Sequence, residues 1–362
     1  MKRIINYNVR PTLPEEIEAD MPYVTSSMVE ALNTCPRWGL INNVQSRSFT
    51  TGYRQMALEA GSLMHDVFAA FNFYSLAVTQ ELPEHANYHA SQLFGKDRWD
   101  FIDFTNLVKK KSNPLEALAY AMIASSEFYD DPDDKNRTLA NLEHCAVMLA
   151  DYFLMNHVKF PIYVADPEDC TAPVGVEQSL DVVFEIEYDN GEVRPLRFIG
   201  LADTVYHNTV TNNVTLGEYK TASSMNDAWL ESFRTRHQLS AYTGALEASF
   251  DNVSFNTILT GSAVPVRKTT APVQHFSIER DRSNVMDFLF AADYATHFIE
   301  AFQGVDAVAA PMFTHSCNRY FRPCAMLDLC SSDKVDQVVM WEQMHIKERS
   351  PSEMKALLRQ NG

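Results

Sequence analysis

The sequence predicts an α/β protein in which a helical lobe precedes a β-sheet, and three features of the pattern carry that reading. From residue 26 to about residue 160 apolar side chains recur at helical spacing. From Val174 to Tyr219 the texture changes to alternation rich in β-branched residues and broken by turn signals. Beyond that, helical and strand-like segments alternate to about Phe302.

The helical half opens with Ser26 and Ser27 as a cap before MVEALN. It continues in amphipathic stretches at 55–71, 116–129 and 138–157. Three antiparallel strands follow at 174–188, 192–206 and 214–219, joined by an Asp189-Asn190-Gly191 turn and a Thr-Asn-Asn turn. Residues 226–250 return to helical period, 255–264 and 271–278 read as strands, and 282–302 is helical again. The division drawn from this is an N-terminal extension (1–24), a helical lobe (25–172), a core (173–310), a cysteine-bearing segment (311–331) and a helical tail (332–362).

The chain has 362 residues, 46% of them apolar and 21% charged, with a mean hydropathy of -0.22. That is enough to bury a core, and no apolar run approaches the ~20 residues of a membrane helix. A soluble protein without a membrane partner is expected. No apolar stretch follows the basic start MKRIIN, so the expected compartment is the cytoplasm. Lys+Arg 30 against Asp+Glu 47 leaves a net charge of -17. Such a field repels phosphate, so any contact with nucleic acid must be local. Six cysteines are too few for a disulfide scaffold, which leaves buried thiols, metal ligands or redox groups.

The chemistry concentrates in the middle of the chain. Asp203 lies in the strand-like FIGLADTVY, and Glu218 and Lys220, two apart in LGEYKT, project to one face of the next strand. Converging carboxylates repel unless a divalent cation lies between them, and hard oxygen ligands suit Mg²⁺ or Mn²⁺. A lysine at that spot orients or deprotonates a water and stabilises charge on a phosphate, which completes the parts for metal-assisted phosphodiester hydrolysis. On the helix that follows, Gln238 and Tyr242 share a face at i and i+4. Taken singly, the E-x-K triplet also reads as an exposed ion pair and the Gln–Tyr pair as a polar helix face.

In this order the residues resemble the PD-(D/E)XK nuclease superfamily, specifically its RecB-like exonuclease branch. Gly200-Leu201-Ala202-Asp203 is similar to its G-x-x-D strand, Glu218-Tyr219-Lys220 followed by Thr221 to its D/E-x-K strand, and Gln238 to Tyr242 to its Q-x-x-x-Y helix. Gly61-Ser62-Leu63-Met64-His65 is similar to its helical histidine preceded by glycine. The resemblance covers roughly residues 25–331 and implies a restriction-endonuclease-like mixed sheet flanked by helices. It implies that His65, Asp203, Glu218 and the backbone carbonyl of Tyr219 hold the metal, with Lys220 as catalytic lysine and Gln238 and Tyr242 beside it. Glu177 stands where this branch often shows an acid, and an exposed acid at a strand start is its alternative.

Four cysteines form a second pattern: Cys35 near the start, and Cys317, Cys324 and Cys330 near the end. Ligands at both ends suit a staple, and thiolates suit Zn²⁺ or an iron–sulfur cluster. Zinc sites normally show C-x₂₋₄-C knuckles, which are absent here, so the spacing favours the cluster. The resemblance agrees, because AddB-like and CRISPR-associated members of the branch carry one cysteine before Pro-Arg and three at the end that bind [4Fe–4S]. The gap between Cys317 and Cys324 is longer than in that pattern. Cys145 and Cys170 read as ordinary thiols.

For DNA contact, Arg234 and Arg236 precede Gln238, Arg267-Lys268 follows a strand, and Lys109-Lys110-Lys111 lies near Trp99, Phe101 and Phe104. The lysine triplet reads equally as a solvated run. The expected function is a metal-dependent DNA exonuclease acting on single strands or DNA ends in recombination, repair or replication of a prokaryote or its virus. No G-x-x-x-x-G-K-[ST] occurs, so a helicase motor would come from a partner. The alternatives are a structure-specific endonuclease on the same fold and a non-catalytic iron–sulfur or zinc scaffold.

Overall fold

The computed structural model describes residues 3–19, 21–45, 47–48, 56–96, 114–124, 161–222, 225–263, 273–302, 307–313, 317–319, 322–324 and 326–346. The predicted helix at 138–157, Cys145, the lysine triplet with its aromatic neighbours, and Arg267-Lys268 lie outside them.

A seven-stranded mixed sheet flanked by helices organises the molecule. Its strands are β1 (Ile4–Pro11), β2 (Tyr23–Val24), β4 (Val176–Tyr188), β5 (Val193–Asn208), β6 (Asn213–Ala222), β7 (Val253–Ala263) and β8 (Val273–Ile278), while β3 (Arg47–Ser48) pairs separately with His345–Ile346. The order across the sheet is β1-β4-β5-β6-β7-β8, with β2 parallel to the end of β5. β4, β5 and β6 form the antiparallel meander that the alternation predicts. β6 and β7 run parallel, because two helices, Asp227–Arg234 and His237–Leu246, carry the chain back across the sheet between them.

Residues 4–11, set apart in the sequence as an extension, are an integral edge strand antiparallel to β4. Their alternation is incomplete, with only Ile4 and Tyr7 buried, which is why periodicity alone does not reveal them. The cap of the first core helix, Ser26–Thr34, is Thr25 and not Ser26: extended Thr25 accepts the Met28 N–H on Oγ1 at 3.2 Å. That helix stops at Cys35 because Pro36 follows and forces its predecessor into extended backbone.

Each face of the sheet buries its own core. On one, Leu180, Val182, Phe184, Phe198, Leu216 and Leu259 pack against Ser26–Thr34, His237–Leu246 and the long helix Arg282–Ala301. On the other, Val176, Tyr206 and Tyr219 pack against Met56–Val78, which Pro83–Phe94 and Pro114–Ala124 cover from outside. The described part of the helical lobe is thus divided: residues 26–44 belong to the core of one face, and Met56–Val78, Pro83–Phe94 and Pro114–Ala124 to the other. Among the described residues no helix is long and apolar enough to cross a membrane.

Candidate metal centre

The candidate site lies where the β5–β6 ladder ends. Pairing runs from Asn208↔Asn213 to Thr204↔Gly217, and Asp203 and Glu218 are the next residues on their strands. There Asp203 Oδ2 accepts the Tyr219 N–H at 2.6 Å, a side chain taking the place of a ladder carbonyl. Across β4–β5, Glu177 falls between the pairs Val176↔Thr204 and Gln178↔Ala202, which puts it opposite Asp203 on the same face. Its φ of 50° is in the left-handed region, uncommon for a residue with a side chain. Strain of this kind costs roughly 1–3 kcal/mol and concentrates at functional sites.

His65 reaches the same point from the opposite layer, with Nδ1 3.4 Å from Asp203 Oδ1. One donor atom each from His65, Glu177 and Asp203 lie within 4.8 Å of one another, close enough for a single divalent cation to be shared. Burial would lower the imidazole, but the charge and hydrogen bond of Asp203, helped by Glu177, hold it above its ordinary range. Burial acts against ionisation of Asp203, yet His65 and Lys220 keep that carboxyl below its usual range.

Glu218 is fully buried and stands beside this trio. Its Oε1 accepts from Lys220 Nζ and, at 2.7 Å, from Gln238 Nε2, while Oε2 has no hydrogen-bond partner among the described residues. A buried carboxylate oxygen left unsatisfied costs about 1–3 kcal/mol or more. Burial, then the charge of Asp203, pushes the Glu218 carboxyl up to about 7. Lys220 is raised despite burial, because Glu218 and Asp203 face it. Tyr242, pushed up to about 12 by burial and then by Glu218, stays a neutral hydroxyl. Gln238 and Tyr242 thus meet Glu218 and Lys220 from the helix His237–Leu246. Arg234 is turned to Glu231 on its own helix at 3.2 Å, and Arg236 stacks over the Phe233 ring at 4.3 Å.

Two glycines allow the helices to come this close. A Cβ on Gly61 would lie 3.2 Å from Thr221 Oγ1, so the His65 helix seats directly on β6. A Cβ on Gly200 would lie 2.7 Å from Tyr242 Cε1 and 3.1 Å from the Phe198 ring. Tyr242 cannot retreat, being buried and tilted against Phe198 at 6.0 Å. Gly200→Ala is therefore expected to destabilise the fold by about 1–3 kcal/mol through overpacking, read as a lower denaturant midpoint at unchanged slope.

The His65 helix is further fixed by Tyr219, whose side chain points to the face away from Glu218 and Lys220. Its ring stacks on Phe68 at 4.2 Å and 6°, a pair worth about 0.5–1.5 kcal/mol beyond its buried area. Its hydroxyl donates to Asn72 Oδ1 at 3.1 Å and meets the Tyr206 hydroxyl at 2.9 Å. Sequence reasoning passed over Phe68, Asn72 and Tyr206. The available signal was Asn72 itself, a polar residue in the apolar run FAAFNFY at helical spacing from His65.

The cysteines lie elsewhere. Asn318–Arg319 pairs antiparallel with Arg322–Pro323, and the Cys324 N–H donates to the Cys317 carbonyl at 2.8 Å. The long gap between these cysteines is thus the length of a strand pair that sets them opposite each other. Arg37, two residues after Cys35, donates its backbone N–H to Pro311 and its Nε to the Ala310 carbonyl at 2.9 Å, which draws the two ends of the chain together. Burial raises the Cys324 thiol, with Cys35 and Cys317 near enough to add to the rise. Burial also raises Cys330, which Arg37 opposes and Cys35 and Cys324 reinforce. Among the described residues no group of three cysteines is placed to hold one metal ion, and Cys170 is a free thiol.

No family model matches the chain, and no curated protein matches it.

Proposed function

We propose that the chain is a metal-dependent nuclease of the RecB-like branch of the PD-(D/E)XK superfamily, hydrolysing phosphodiester bonds of DNA. The observation that carries the reading is the convergence of His65, Glu177 and Asp203 within 4.8 Å, from three elements distant in sequence, beside Glu218 and Lys220. Mg²⁺ or Mn²⁺ held by these residues, with the unpaired Glu218 oxygen and the Tyr219 carbonyl as further donors, would supply a Lewis acid for a phosphate oxygen and ease ionisation of a water. Lys220, held charged by Glu218 and Asp203, is the donor for a phosphoryl oxygen. Gln238 keeps Glu218 turned toward the lysine. Arg234 and Arg236 are candidates for contact with the DNA backbone on the approach to Gln238, supplying locally the positive charge that the whole chain lacks.

The cysteines support a [4Fe–4S] staple formed by Cys35, Cys317, Cys324 and Cys330. The Cys317 carbonyl accepts the Cys324 N–H, and Arg37, two residues after Cys35, bonds the Ala310 and Pro311 carbonyls, so the two ends of the pattern approach each other, with zinc as the alternative occupant. All five described cysteines are free, which fits a reducing compartment such as the cytoplasm.

The reading is tested by incubating end-labelled linear DNA and closed circular DNA, single- and double-stranded, with Mg²⁺ or Mn²⁺. An exonuclease shortens only the linear substrates; cutting of circles makes it an endonuclease, and inertness toward all of them removes the proposal. His65→Ala is expected to raise the Mn²⁺ concentration for half-maximal cleavage by at least about tenfold, with activity returning in excess Mn²⁺. A histidine that only packs would lower stability and leave that midpoint in place.

A further inference from the structure

We infer that Tyr219, through its side chain, is the positioning residue that sets His65 against Asp203, with Asn72 as its counterpart on the helix. The inference rests on the metal-centre reading above and assigns to the middle residue of the Glu218-Tyr219-Lys220 strand a role separate from its backbone carbonyl.

His65, Phe68 and Asn72 follow one another at i, i+3 and i+7 on Met56–Val78, so they line one stripe of that helix. Tyr219 touches two of the three: its ring lies flat on Phe68 at 4.2 Å, and its hydroxyl donates to Asn72 Oδ1 at 3.1 Å. The Phe68 ring is also the edge-to-face neighbour of His65, at 6.5 Å and 75°. At its backbone, the same residue donates its N–H to Asp203 Oδ2 at 2.6 Å. One residue therefore grips both partners of the His65–Asp203 contact, the carboxylate through its main chain and the histidine's helix through its side chain. Tyr219 is 2% exposed and Asn72 1% exposed, so water does not compete for the link. Stacking alone leaves the helix free to slide along the ring, whereas the hydrogen bond two turns from His65 fixes its axial position. A slide of a fraction of the 1.5 Å rise per residue would carry Nδ1 away from a site that three donors must share.

The test is Mn²⁺ binding to the whole protein, followed by electron paramagnetic resonance of the free ion, which needs neither DNA nor turnover. Tyr219→Phe keeps the ring and the backbone but removes the hydroxyl, and Asn72→Ala removes its acceptor. Each is expected to weaken Mn²⁺ binding by roughly tenfold, as loss of an outer support of a metal ligand does. Tyr206→Phe is the control: it removes another buried hydroxyl of the same hydrogen-bonded group, while Tyr219 still bonds Asn72, so it is expected to lower the melting temperature and leave Mn²⁺ binding unchanged. In a His65→Ala background, Tyr219→Phe is expected to add no further loss. Equal effects of Tyr219→Phe and Tyr206→Phe on Mn²⁺ binding, or a full additional loss without His65, would overturn the inference. Cleavage assayed alongside separates the two claims. Wild-type protein that binds Mn²⁺ with the expected pattern but leaves DNA intact removes the nuclease reading alone. Protein that cleaves DNA while Tyr219→Phe retains wild-type Mn²⁺ affinity removes the positioning role alone, and absence of Mn²⁺ binding to the wild type overturns both.

Discussion

Asp203→Ala and Lys220→Ala are each expected to lower DNA cleavage by about three orders of magnitude, equivalent to roughly 4 kcal/mol of transition-state stabilisation. Asp203 is shared by every element of the site: it faces His65, it is opposite Glu177, and it takes the Tyr219 N–H. Its removal takes a ligand and leaves that N–H without its acceptor, so Mn²⁺ affinity falls together with turnover. Lys220→Ala behaves differently. It leaves His65, Glu177 and Asp203 in place and removes only the ammonium paired with Glu218, so Mn²⁺ binding survives while turnover is lost. Single-turnover cleavage and Mn²⁺ titration on the same preparations separate these outcomes. Cleavage by Lys220→Ala within tenfold of wild type, with contaminating nuclease excluded, would remove the lysine from the chemistry.

Cys35→Ser is expected to have the largest effect on stability. Cys35 is 6% exposed at the end of the helix Ser26–Thr34, and the three partners proposed for it lie nearly three hundred residues further along the chain. A cluster held across that separation closes nearly the whole chain into one loop, and its binding energy becomes folding energy as in structural zinc sites. Anaerobically purified wild type is expected to be brown, with broad absorption near ~400 nm from cysteinyl iron–sulfur ligation. Cys35→Ser should lose the colour and the iron and melt at lower temperature, whereas Cys170→Ser, outside the four-cysteine pattern, should change neither. A colourless wild type with one equivalent of zinc would put a zinc site in place of the cluster, and a preparation free of both metals would reduce the four residues to packed thiols.

The meander β4–β5–β6 and the return helix with Gln238 were legible in the sequence because each has a strong period of its own and an unambiguous turn between its parts. Glu218 and Lys220 on one strand face, and Gln238 and Tyr242 on one helix face, follow from the same local geometry. The edge strand β1 was not legible, since only two of its eight residues are buried and its partner β4 lies about half the chain away. The standing of Glu177 was likewise open, because an acid at a strand start reads alike whether it meets solvent or a second acid. Register decided it: Glu177 is opposite Asp203, in a left-handed backbone that no local pattern announces.

By itself the sequence determined the elements with a strong period of their own, the residue types of the site and their order along the chain, all of which depend on interactions between near neighbours. Only the tertiary structure decided which donors share a point. It grouped His65 with Glu177 and Asp203 and left Glu218 to Lys220 and Gln238, because distances between carboxylates in different strands depend on where the β5–β6 ladder stops. It also revealed the far side of the strand, where Tyr219 meets Phe68, Asn72 and Tyr206. A strand shows its alternation in sequence, but what covers each face is set by packing between segments far apart in the chain.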